Sequence, residues 1–95
     1  MVRYALLSLA FLSSPALAAG FQARTTTAPS SARFVARDSI WRCAETVCVS
    51  TNATSTRPAI VCSALVRQVG ALRGFAVDGR PFDPRQLENC NARAR

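Results

Sequence analysis

The chain has 95 residues, 49% of them hydrophobic, and carries twelve arginines against five acids for a net charge of +7, with no lysine and no histidine. The missing residue types exclude Ser-His and Ser-Lys nucleophile pairs, Schiff-base lysines and imidazole metal ligands, and with them much of hydrolase chemistry. The length allows one small domain, and the piece expected to fold, about Asp38 to Asn91, is below the size at which an apolar core alone usually suffices, so covalent cross-links are expected.

The N-terminus reads as an export signal. Arg3 supplies the positive start, Tyr4 to Leu12 the apolar stretch, and Ser13, Ser14 and Pro15 break it ahead of Ala16-Leu17-Ala18, a cleavage site of the A-x-A form. The apolar run is interrupted well before the ~20 residues that a membrane-spanning helix needs. Residues 1–18 are therefore expected to be a signal peptide cleaved after Ala18, with the bond after Ala19 as second choice, and no cysteine follows to carry a lipid. The mature protein is expected to be periplasmic or secreted, with no stable membrane anchor.

Residues 19–37 are rich in Thr, Ser, Ala and Arg, carry Pro29, and show no sustained period of two or 3.6. The stretch reads as a disordered tether that cannot bury enough apolar surface to offset its ordering entropy. The folded domain is then expected over residues 38–91, followed by a basic tail at 92–95. Between Asp38 and Asn91 lie six arginines and all five acids, close to balance, whereas Arg24, Arg33, Arg37, Arg93 and Arg95 fall in the two tails. A nucleic-acid module concentrates positive charge on a structured face with interleaved aromatics, so no nucleic-acid partner is expected.

Within the domain, Ser39-Ile40-Trp41-Arg42-Cys43 alternates in polarity, as does Val47-Cys48-Val49 with its flanking Ser and Thr, which predicts a β-hairpin. A two-residue turn at Glu45-Thr46 sets Cys43 opposite Cys48 at the closely spaced, non-hydrogen-bonded site of the ladder. Without Gly or Asn at the tip, a looser four-residue loop is the alternative. After a polar loop, Thr51 to Arg57, a helix is predicted over Pro58 to Val69, with Pro58 in the first turn and Gly70 just past the end. Cys62, Leu65, Val66 and Val69 fall on one stripe of it, while Arg67 and Gln68 lie off that stripe. A strand is predicted from Leu72 to Val77, with Phe75 and Val77 on one face, and Asp78-Gly79 turns the chain. Asp83-Pro84-Arg85-Gln86 then gives an N-cap, a first-turn proline and a capping-box glutamine, opening a short helix that carries Leu87 and Cys90.

Four cysteines allow three connectivities. The pairing expected is Cys43 with Cys48 and Cys62 with Cys90. The second fastens the short helix to the main one across about 27 residues, worth ~3.5 kcal/mol in the chain-entropy model against ~2 kcal/mol for the hairpin link. Trp41, Leu65, Val69, Phe75 and Phe82 are expected in the core. The fold class is α+β: a small disulfide-stapled domain in the order β-β-α-β-α, its antiparallel sheet packed on one main helix.

Each acid has a structural explanation: Asp78 in a turn, Asp83 at a helix cap, Glu45 at a hairpin tip, Asp38 and Glu88 on the surface. No catalytic carboxylate pair is therefore expected. The C-x4-C spacing lacks the C-x-x-C geometry that lowers a thiol pKa, and a four-cysteine zinc site would need C-x2-C-like knuckles. No catalytic, cofactor-binding or metal-binding residue is expected, and Cys43, Cys48, Cys62 and Cys90 are read as structural. Asn52-Ala53-Thr54 matches the N-glycosylation sequon, a match short enough to arise by chance.

The run from Trp41 to Asn91 combines Trp41-x-Cys43-x4-Cys48, Arg57-Pro58 before a helix containing Cys62, Val69-Gly70, Phe75, Gly79, Leu87 and Cys90-Asn91. In this joint pattern it resembles a family of small exported proteobacterial proteins of unknown function. The resemblance implies a periplasmic or secreted location and brings no activity, cofactor or catalytic residue. The expectation is a non-catalytic exported binding module for a protein or polysaccharide of the envelope, with residues 20–37 as spacer. The alternative is an inhibitor of an extracellular or envelope enzyme. Its candidate loop is Thr51 to Arg57, where Arg57 resembles a trypsin-like cleavage residue although Pro58 would block attack. A membrane-active cationic protein is disfavoured by the near-neutral domain.

Overall fold

The computed structural model describes residues 20–51 and 54–94, so the expected signal peptide and its cleavage site lie outside the described residues. The elements are β1 (Phe21–Thr25), β2 (Arg33–Ala36), β3 (Ser39–Ala44), β4 (Val47–Ser50), α1 (Pro58–Val69), β5 (Leu72–Val77), β6 (Arg80–Pro81) and α2 (Pro84–Asn91). The strands form one six-stranded sheet in the order β2-β3-β4-β1-β5-β6, antiparallel at every pairing. The α+β class with an antiparallel sheet and two helices is as expected, with three more strands than the sequence suggested.

Those strands overturn the reading of residues 19–37 as a tether. Phe21–Thr25 lies at the interior of the sheet between β4 and β5, and Arg33–Ala36 forms the β2 edge. Phe21, Ala23 and Thr25 are buried while Arg24 is exposed, a strict alternation that fits a strand with one face on the core. Only one of the three buried side chains is large and apolar, because the strand owes its place to two flanking ladders. The buried Thr25 hydroxyl donates to the Thr27 carbonyl at 2.7 Å, which removes the cost of its burial. Gly20 is already part of the domain: its backbone takes a φ of +89° and an added Cβ would collide with the Ser50 carbonyl oxygen.

The hairpin forms with the two-residue turn at Glu45-Thr46, and Cys43 and Cys48 are cross-strand partners. Glu45 supplies the positive φ (57°) that a glycine or asparagine would adopt more easily. A second two-residue turn, Arg37-Asp38, joins β2 to β3, and a third, Asp78-Gly79, joins β5 to β6 with positive φ at both centre positions, the signature of the type I′ hairpin. Pro81 is tolerated because β6 is a two-residue edge strand.

Both helices lie against one face of the sheet. α1 spans it from β2 to β5, and α2 packs on α1 and β5. α1 starts at Pro58 and buries Val61, Cys62, Leu65 and Val66, and the Gly70 N–H closes its end on the Val66 carbonyl. Val69 and Phe82, expected in the core, are half-buried against it, whereas Trp41, Leu65 and Phe75 are fully inside. Phe21, Trp41 and Phe75 form a triangle with ring centroids 5.9 to 6.4 Å apart, and Phe82 joins at 4.8 Å from Phe75. Contacts at these separations add to the area term of aromatic burial. α2 begins with the complete capping box: Asp83 accepts from the Gln86 N–H and the Gln86 side chain accepts from the Asp83 N–H.

Candidate functional site

The four cysteines of the sequence analysis are joined in two bonds. Cys43–Cys48 staples β3 to β4 with Cα atoms 4.0 Å apart, and Cys62–Cys90 ties α1 to α2 with Cα atoms 5.9 Å apart. Cys48, Cys62 and Cys90 are buried in the core, and all four sulfurs are oxidised. One bond lies within the sheet and the other within the helical layer, and neither offers a thiolate.

The five acids occupy turns, the N-cap of α2 and α2 itself, and none lies on a strand. Asp78 accepts from the Gly20 N–H at 2.8 Å and its own N–H donates to the Gly20 carbonyl, which fixes the start of β1 to the β5–β6 turn. Asp83 caps α2. Asp38 does more than a plain surface acid: its Oδ2 accepts from the Thr54 hydroxyl at 2.7 Å and the Thr56 hydroxyl at 2.8 Å, clamping the loop before α1 to the β2–β3 turn. These two hydroxyls, Thr54 first, hold the Asp38 carboxyl below the usual aspartate range.

Among the described residues, no helix lies on the opposite face of the sheet. Register carries a row of side chains across the uncovered face, from Arg33 through Arg42, Val49, Gln22 and Ala76 to Pro81. Ala44, Val47, Arg24 and Gly74 form the adjacent row, and Val35 with Ile40 continues the face near β2 and β3. Val35 is 58% exposed, Ile40 51% and Val47 48%, which places on this one face three of the four large hydrophobics that are exposed among the described residues. Two shallow depressions open on it. One of about 360 Å³ lies over β4, β1 and β5 on the small residues Gly74 and Ala76, and one of about 350 Å³ is lined by Arg33, Ile40, Arg42, Val49 and Thr51. A larger hollow of about 520 Å³ sits beside Asp78, Arg80 and Gln86, where Asp78 and Gln86 are already committed to Gly20 and to the α2 cap.

Sequence reasoning missed the arginines of this face. Arg24 and Arg33 were expected in a tether and Arg37 beside them, whereas Arg24 and Arg33 project from strands and Arg37 sits in the β2–β3 turn. The charge is consequently not confined to tails: residues 20–94 hold ten arginines against five acids. The available signal was the alternation of Phe21-Gln22-Ala23-Arg24-Thr25, too short to register within a polar window of low complexity.

A sheet with two helices on one face, two disulfides and an open arginine-bearing face defines a small α+β domain with a surface, not a cleft, as its main feature. The chain belongs to a family of unknown function (DUF8200), whose model matches residues 5–92. No curated protein and no solved structure matches it. No helix among the described residues is long and apolar enough to cross a membrane.

Proposed function

We propose that the protein is an exported, non-catalytic module that receives a partner protein of the envelope on the open face of its sheet. The observation that carries this reading is the gathering of Val35, Ile40 and Val47 with Arg24, Arg33 and Arg42 on the sheet face that no helix of the described residues covers. Interface cores favour arginine and apolar side chains and are depleted in acids, and this face has that composition. Two disulfides suit an oxidising compartment, and the leader-like residues 1–18 supply a route to it. Periplasmic or secreted location is part of the proposal.

Inhibition of an enzyme through the loop at Thr51 to Arg57 has weaker support. The Arg57 carbonyl, the group a protease would attack, accepts from the Ile60 and Val61 N–H groups and is built into the first turn of α1.

The test replaces Ile40 and Val47 by threonine in the native host. These changes keep strand propensity and should leave the thermal melt in place, while a partner retained by the wild-type protein is lost. Equal retention by the variant would contradict the reading.

A further inference from the structure

Arg33 and Arg42 are direct cross-strand partners on the open face. Like charges placed opposite each other in a ladder destabilise it, and here the next positions along the row are Val49 and Gln22, with no acid on any strand to neutralise the pair. Arg33 and Arg42 line one depression together with Ile40, Val49 and Thr51. Guanidinium forks bind carboxylates bidentately, and Ile40 and Val49 offer aliphatic packing beside them.

We infer that this depression is a carboxylate-binding site for an acidic segment of the partner protein, in which Asp or Glu side chains engage Arg33 and Arg42 and intervening aliphatic side chains pack on Ile40 and Val49. The inference rests on the proposed docking face and names the chemistry of what docks there. Three observations favour this occupant. Among the described residues, the aromatic rings on which sugars commonly stack belong to the core, with Phe21, Trp41 and Phe75 buried and Phe34 and Phe82 packed against them. A second copy laid on the same face would set arginine against arginine. The three aliphatic side chains are interleaved with the arginines across the sheet, which matches a protein segment of mixed acid and aliphatic residues better than a lipid surface. Arg24, one row away beside Val47, extends the positive field toward β1.

The experiment titrates isotope-labelled mature protein, both disulfides intact, with a short peptide of alternating glutamate and valine, followed by NMR shifts. Parallel arms use the glutamine-valine peptide, polygalacturonate and phosphatidylglycerol vesicles. The expected result is binding of the glutamate peptide with shifts centred on Ile40, Arg42 and Val49, weakened by salt, and roughly tenfold or more weaker in Arg33→Gln/Arg42→Gln. That double variant should melt at or above the wild-type temperature, since it relieves a like-charge pair; Arg42→Gln alone serves if it does not fold. Equal binding of the glutamine peptide, unchanged affinity in the variant, or binding of polygalacturonate or vesicles in place of the peptide would overturn the inference. If the Ile40 and Val47 replacements abolish partner retention while the glutamate peptide fails to bind, only the acidic chemistry falls; if both fail, the docking face falls with it.

Discussion

The Asn91 side chain pairs with the backbone of Leu72 as a neighbouring strand would. Its Oδ1 accepts from the Leu72 N–H at 2.8 Å and its Nδ2 donates to the Leu72 carbonyl at 2.9 Å. The last residue of α2 is thereby fixed to the first of β5, one position beyond the Cys90 link to α1. Asn91→Ala should cost about 2 kcal/mol, two hydrogen bonds at ordinary net value, read as a lower urea midpoint. Asn91→Asp keeps the acceptor and loses the donor, setting oxygen against oxygen at Leu72, so it should be at least as damaging near neutral pH.

The two disulfides should differ in weight. Cys62–Cys90 spans a sequence separation of 28 and Cys43–Cys48 one of 5. Removing the first as Cys62→Ala/Cys90→Ala should cost ~3.5 kcal/mol, and removing the second as Cys43→Ala/Cys48→Ala ~2 kcal/mol, in the chain-entropy model. Denaturant titrations of the two double variants check the order, and coincident midpoints would contradict it.

Ser39 is fully buried on β3, and its hydroxyl has no hydrogen-bond partner among the described residues; the Trp41 Nε1, two residues on, is in the same position. An unsatisfied buried hydroxyl carries its desolvation cost without return. Ser39→Ala should therefore leave stability unchanged or raise it by up to about 1 kcal/mol. Trp41→Phe also removes an unpaired donor, but it withdraws ring volume from the Phe21–Phe75 cluster and should be destabilising.

The Asp38 clamp should give the protein a defined acid-side response. With its pKa lowered by Thr54 and Thr56, the clamp contributes above the ordinary aspartate pKa, and the contribution is lost as pH falls through the lowered folded value. Thr54→Val or Thr56→Val should move the Asp38 carboxyl titration, followed by NMR, upward toward the ordinary range. Thr54→Val should have the larger effect. An unmoved titration would mean that the hydroxyls do not hold the carboxylate.

Local chemistry that repeats over a full element was legible in the sequence. Pro58, the stripe of Cys62, Leu65 and Val66, and Gly70 bound α1; Asp83, Pro84 and Gln86 start α2; the predicted strand Leu72–Val77 is β5 residue for residue. β1 and β2 were not legible because burial there comes from neighbouring ladders distant in sequence, and because Ala23 and Thr25 add little apolar signal. β6, two residues with a proline, exists only because the Asp78-Gly79 turn folds it back on β5. Losing β1 and β2 from the sequence reading also lost the open face, since Arg24 and Arg33 acquire a common surface with Arg42 only when those strands take their places. The roles of Asp38 and Asn91 depend on partners 16 to 19 residues away and carry no local signature.

The docking face is tested most directly by a photo-reactive amino acid placed singly at Ile40, Val47, Arg67 and Glu88 in the native exporting host. Ile40 and Val47 lie on the open sheet face, and Arg67 and Glu88 on exposed positions of α1 and α2. The account predicts a covalent adduct with the same partner protein from Ile40 and Val47 and none from Arg67 or Glu88. Adducts from the helix positions alone, or from none of the four, would contradict it.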